Sequence, residues 1–191
     1  MRPARAIAAT GSLAVLLTAT VAGTAAAQPP EKGTIDDSFT RVEEDFCGSG
    51  QDVEIATTVQ GRYQVTLHGP DGVPYYLESL RVEETLTLLG DEPRVIASSV
   101  DRVLNKDLHV VQEGDGTLTI AFLATGASTL YDAEGTPIAR NPGQIRQTIN
   151  IDLNGTPDDP TDDDVTLVSV DKESTGRSDD YCEALLPLLG S

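Results

Sequence analysis

"VEIATTVQGRYQVTL", residues 53 to 67, is the stretch on which the fold turns. Its odd positions hold Val53, Ile55, Thr57, Val59, Gly61, Tyr63, Val65 and Leu67, while its even positions hold Glu54, Ala56, Thr58, Gln60, Arg62, Gln64 and Thr66. A period of two is the signature of a strand with one face on a core. Reading Gln60-Gly61 as a two-residue hairpin turn would set Val59 opposite Arg62 and carry Gln64 and Thr66 onto the core face. One long strand avoids that conflict, and Gly61 then marks a bulge or a sharp bend of the kind found at barrel corners.

Working outward, "GPDG" at 69–72 turns the chain into a second strand from Tyr75 to Leu88, whose apolar phase shifts near Glu78-Ser79 and suggests a bulge. "GDEP" at 90–93 leads to a strand from Arg94 to Leu104, "NKD" at 105–107 to a short one from Leu108 to Gln112, and "GDG" at 114–116 to the alternation Leu118, Ile120, Phe122, Ala124. Each connection is rich in Gly, Asp or Pro, the residues that turns favour. After "AEGTP", Ile145, Ile149, Ile151 and Leu153 share a face, and Val165 to Val170 make a last strand. Helix signals come only at the end, where "YCEALLPLLG" suits a short turn of helix limited by Pro187.

Strands joined by short turns, with no crossover helices, predict an all-β antiparallel meander of seven to eight strands, closed as an up-and-down β-barrel or arranged as a two-sheet β-sandwich. The long bent first strand favours the barrel. Its interior candidates are Val53, Ile55, Val65, Leu67, Leu86, Leu118, Ile120, Phe122, Ile149 and Ile151, and an eight-stranded barrel encloses either a packed core or one small apolar ligand.

Residues 1–27 read as a signal peptide. Arg2 and Arg5 form a basic start, Ala6 to Gly23 is apolar and small, and Ala25 and Ala27 have the spacing that signal peptidase reads, so cleavage is expected after Ala27. A secreted, extracellular chain follows, free of the membrane after cleavage. Residues 28–43 are then expected as a flexible N-terminal segment and 44–191 as a single β domain. The whole chain carries a formal charge of −18; removing the signal takes two basic residues and no acid, leaving 11 against 31 and a net charge of −20. Nucleic acid is excluded as a partner, since phosphate binding needs clustered Lys and Arg. Cys47 and Cys182, an even pair in an exported chain, predict one disulfide that closes the domain.

The chemistry-bearing residues are few. "NGTPDDPTDDD" supplies Asp152, Asn154, Asp158, Asp162, Asp163 and Asp164, hard oxygen donors of the kind calcium takes. The EF-hand pattern fails there: counting from Asp152, Pro157 stands where the sharp-turn glycine belongs and Asp163 where the bidentate glutamate belongs. A solvated acidic hairpin tip is the competing reading, with calcium as the only cofactor in view. Two histidines, His68 and His109, are the only candidates for a general base, and His68 stands beside "GPDG" within sequence reach of Asp71. No nucleophile elbow, zinc cluster or phosphate-cradling glycine loop accompanies them.

The order of motifs, "EDFCG", "LRVEETLT", "DGTLTI", "YDAEGTPIARNPGQIR", "NGTPDDPTDDD" and "ESTGRSDDYC", resembles a group of uncharacterised small secreted proteins from actinobacteria, over nearly the whole mature chain. The resemblance implies export, the disulfide and an all-β domain, and brings no activity with it. Three functions remain in view: a secreted non-enzymatic β-barrel domain that binds a small apolar ligand or a protein partner, an enzyme with a polar site near His68 at one barrel end, and a calcium-stabilised structural module.

Overall fold

A computed structural model describes residues 29–113, 116–156, 162–174 and 176–190. The expected signal peptide and Asp158 lie outside the described residues. Seven strands follow one another: β1 (Glu31–Glu43), β2 (Val53–His68), β3 (Val73–Leu88), β4 (Arg94–Gln112), β5 (Thr117–Asp132), β6 (Pro137–Asp152) and β7 (Asp164–Lys172). A helix, α1 (Tyr181–Leu189), ends the chain. The strands form one antiparallel sheet in the order β1-β2-β3-β4-β5-β6-β7, so the all-β meander is as expected from the sequence.

The sheet does not close. Among the described residues β1 pairs only with β2 and β7 only with β6, leaving an open seven-stranded sheet where a barrel was expected. Within the expected N-terminal segment of 28–43, Glu31 to Glu43 form β1 and pair with β2 residue by residue, from Glu31↔Val65 to Glu43↔Val53. β1 contributes only scattered apolar residues, chiefly Ile35, Phe39 and Val42, because it is an edge strand with little core to face. A weak alternation therefore hid it.

Two expected breaks are absent. "NKD" is not a turn, and β4 runs unbroken for 19 residues. Asn105 donates to Glu78 Oε1 at 2.7 Å and Asp107 Oδ2 accepts from the Tyr76 amide at 2.7 Å, so turn-favouring residues are held in the strand by β3. The extra residue sits just beyond, at the β4–β5 bulge between Asp107 and His109. The apolar phase shift at Glu78-Ser79 is no bulge either, because β2 and β3 pair in unbroken register from His68↔Val73 to Val53↔Leu88. Tyr75 and Leu77 simply face the other way from Leu80 and Val82.

Gly61 is a bend, not a bulge. It pairs with Leu80 in register, and that row continues through Val103, Gly126 and Gly143. A Cβ at Gly61 would lie 2.4 Å from the Ser79 carbonyl oxygen, and one at Gly126 2.6 Å from that of Arg102. Only glycine permits the backbones to approach this closely, so the row forms a crease across the sheet.

Alternation gives the sheet two faces. The inner face carries Val53, Ile55, Leu86, Ala97, Leu130 and Ala139, and α1 docks over this end of it. Leu185 and Leu189 of α1, with Phe46 and Ile96, complete the core. Asp180 caps the helix, its carboxylate accepting from the amides of Cys182 and Glu183 at 2.9 and 3.1 Å. The Arg94 guanidinium donates to the Leu188 carbonyl at 2.8 Å near the other end. Cys47 and Cys182 are joined by a disulfide, fastening the β1–β2 connection to α1. Among the described residues, no helix is long and apolar enough to cross a membrane.

Candidate functional site

The inner face also carries a polar line that interrupts its apolar rows. Thr57, Glu84 and Ser99 stand side by side on β2, β3 and β4. Glu84 Oε1 accepts from Arg41 Nη2 and from the Thr57 hydroxyl, each at 3.3 Å, and Oε2 accepts from the Ser99 hydroxyl at 3.4 Å. Arg41 reaches in from β1, also bridging to Glu43 at 3.2 Å. Thr57 and Ser99 are buried, so this group satisfies polar atoms that the core would otherwise strand.

Asp101 lies one row further along, paired in register with Val82 and Ser128. Burial raises its pKa, with Glu84 adding to the rise, and a hydrogen bond with Ser128 opposes it. Its Oδ1 is buried without a hydrogen-bond partner. Ser128 Oγ accepts from the Tyr181 hydroxyl, which ties the helix to the sheet. The arrangement can hold a proton at Asp101. The nearby Tyr181 hydroxyl is itself raised in pKa, chiefly by burial.

A second polar group lies across the crease. Glu78 is buried and accepts from the Asn105 amide and, at 3.2 Å, from the Tyr76 hydroxyl. Tyr76 stacks on Tyr63 with ring centroids 5.8 Å apart. Its phenol is pushed well above its ordinary pKa by burial first and by the Glu78 charge second. Asp107 is also raised by burial, against the Tyr76 amide that donates to it. Sequence reading missed both groups. The signal was present in Thr57, Glu84 and Glu78, polar residues at positions whose neighbours two away are apolar.

His68 ends β2 on the outer face, exposed, with its ring 4.4 Å from that of Tyr75. Among the described residues no hydrogen bond or ion pair joins it to Asp71. The concavity at this end, about 430 Å³, is lined by Asp71, Val73, Gln112, Glu113 and Gly116, and His68 is not part of it. His109 is exposed just past the β4 bulge. The two histidines are therefore not brought together with an acid.

The acidic loop starts as a tight turn. Asn154 and Gly155 have φ of 47° and 76°, and the Thr156 amide donates to the Leu153 carbonyl at 2.8 Å, as a two-residue turn with both central φ positive requires. Asp152 Oδ1 accepts from the Asn154 amide at 2.9 Å, and Asp162 Oδ2 accepts from the Thr156 hydroxyl at 2.7 Å. The Asn154 side-chain amide donates to the Asp162 carbonyl and to Asp164 Oδ2. Asp163 has a half-buried side chain in the same loop. These hydrogen bonds join Asp152, Asn154, Thr156, Asp162 and Asp164 to one another, and among the described residues no three Asp, Glu, His or Cys side chains converge as a metal site.

One inner-face feature remains. At the end away from α1, Leu118 and Ile120 of β5, Ile149 and Ile151 of β6, and Val165 and Leu167 of β7 stand in two adjoining rows. Val165 and Leu167 are 63 % and 55 % exposed, and the four others are only half-buried. Four of these aliphatics, Leu118, Ile120, Ile149 and Ile151, were expected in a barrel interior, and the other two belong to the last strand. The open sheet leaves them uncovered. Compared with known proteins, the chain matches no family model, no curated protein and no solved structure.

Proposed function

We propose that the chain is a secreted, non-enzymatic binding domain that receives a protein partner on the uncovered half of its inner face. The observation that carries this is the aliphatic double row on β5, β6 and β7, which lies beside the unpaired edge of β7. Contiguous exposed apolar surface of this kind marks interaction sites, and a free strand edge offers main-chain hydrogen bonds to an added strand. A small apolar ligand is the weaker alternative, because an open sheet does not surround one as a barrel would. An enzyme near His68 is weaker still, since that ring meets Tyr75 and no acid. Nucleic acid remains disfavoured by the net charge.

Export is supported by the disulfide, which suits an oxidising compartment, and by the resemblance to small secreted actinobacterial proteins. The test is native mass spectrometry, without reductant, of mature protein recovered from a culture supernatant, paired with the variant Leu167→Asp. A bound polypeptide released by the variant supports the reading. A bare monomer whose exposed rows bind no apolar fluorescent probe overturns it, and a bound lipid-like mass transfers the site to a small ligand.

A further inference from the structure

The outer face of the crease collects positive charge in a chain that is otherwise strongly acidic. A groove of about 630 Å³ runs over the backbone of Gly61, Leu80 and Val103, walled by Gln60, Arg62, Ser79, Arg81, Arg102 and Thr125. Register explains why the arginines meet: Arg81 stands directly opposite Arg102, and Arg62 lies opposite Ser79, diagonal to Arg81. Like charges directly opposite on a sheet destabilise it. Glu83 bonds the Arg81 guanidinium, with Nε to Oε1 at 2.8 Å. Arg62 and Arg102 are exposed, and neither makes a hydrogen bond or an ion pair with another described residue.

The surroundings reinforce the sign. Lys106 and Arg146 occupy the next outer-face row but one strand position further from α1, with Leu123 between them. Against them stand Glu83, Asp36, which lies opposite Gln60, and Asp171, whose charge interacts with Arg146. The acids Glu78, Glu84, Asp101 and Asp107 all belong to the inner face. Thus the net charge of −18 conceals a local positive field, and a compact ligand feels mainly charges within about one Debye length, roughly 8 Å at physiological salt.

We infer that this groove is a binding site for a compact, multiply charged oxyanion, a small molecule bearing phosphate or carboxylate groups. Guanidinium forks match such groups in bidentate geometry, Gln60, Ser79 and Thr125 supply neutral hydrogen bonds, and the groove volume suits a small ligand. A bound anion would relieve the repulsion between Arg81 and Arg102. Long polyanions remain disfavoured because they extend beyond the groove over acidic surface.

The test is isothermal titration of the mature, disulfide-bonded protein with inorganic pyrophosphate and, separately, with citrate, at low and at physiological ionic strength. At least one anion binds the native protein, more weakly as salt rises. The double variant Arg62→Gln/Arg102→Gln binds it about tenfold or more weakly, as expected for loss of charge-assisted pairs. Arg140→Gln, on the same face but outside the groove, binds as the native protein does. Preference for pyrophosphate assigns phosphate chemistry, and preference for citrate assigns carboxylates. Failure of both anions to bind at low salt overturns the inference, as does a double variant that binds undiminished, or an Arg140→Gln loss equal to that of the double variant. All three arginines are exposed, and the melting temperature of each variant without ligand verifies that it folds.

Discussion

Replacing Gly61 with alanine tests the crease on which the whole sheet is built. The added Cβ would sit 2.4 Å from the Ser79 carbonyl oxygen and 2.7 Å from Leu80 Cδ2. Leu80 can rotate, but the carbonyl belongs to the β2–β3 ladder and cannot move alone. The strands must part locally, an overpacking strain of about 1–3 kcal/mol, and at least one ladder hydrogen bond weakens, about 1 kcal/mol more. A loss of about 3 kcal/mol is expected, which lowers the melting temperature by roughly 6–12 °C for a domain of this size. Gly90→Ala is the control, because a Cβ there meets nothing within 4 Å and no positive φ is required; it should change stability by less than about 0.5 kcal/mol or raise it slightly. Urea unfolding followed by far-ultraviolet circular dichroism, without reductant, measures both; the chain has no tryptophan to report by fluorescence. Coincident midpoints for the two variants would show that the backbones do not converge at Gly61, and the crease would be refuted.

Four other outcomes are expected. Replacing Cys47 and Cys182 together with alanine should cost about 2–5 kcal/mol, and limited proteolysis should then cut first around α1; unchanged melting with and without reductant would contradict it. Asp101 has a raised pKa in the folded protein, so its favourable contribution is complete below the unfolded value and is lost as pH rises through the folded one. Asp101→Asn should therefore raise the melting temperature more at pH 7 than at acidic pH, and an equal effect at both would count against burial as the cause. Arg41→Ala removes a partly exposed guanidinium that bridges β1 to Glu84 and Thr57; about 1 kcal/mol is expected, with faster hydrogen exchange confined to β1. Calcium, if it binds the loop from Asp152 to Asp164 with ~10 μM affinity, would stabilise by about 2.7 kcal/mol at ~1 mM, and melting indifferent to calcium and chelator would remove that module from consideration.

Much of the sheet was legible because strands buried on one face must alternate. Val53 to Leu67 announced both its length and its bend, and the turns at 69–72 and 90–93 carried ordinary turn residues. β1 was hidden because an edge strand needs little alternation. "NKD" misled because local preference was overridden by Glu78 and Tyr76 from the neighbouring strand. Closure was misjudged for a different reason: alternation states which face of a strand is apolar, not whether another element covers it. The same gap kept the polar groups and the arginine groove out of sight. Their members are distant in sequence, and only register sets Arg81 against Arg102 or Glu84 between Thr57 and Ser99.

The meander has a consequence for how the chain reaches this form. Every strand pairs with its predecessor in sequence, so the sheet can assemble hairpin by hairpin from close neighbours, the regime in which folding is least slowed by loop closure. α1 is the exception. It comes from the far end of the chain and rests on residues contributed by β2 to β6, a surface that exists only after those strands have paired. Cys182 therefore finds Cys47 late, when the sheet is already standing, and oxidation acts as a latch on a finished structure and not as a guide to making it.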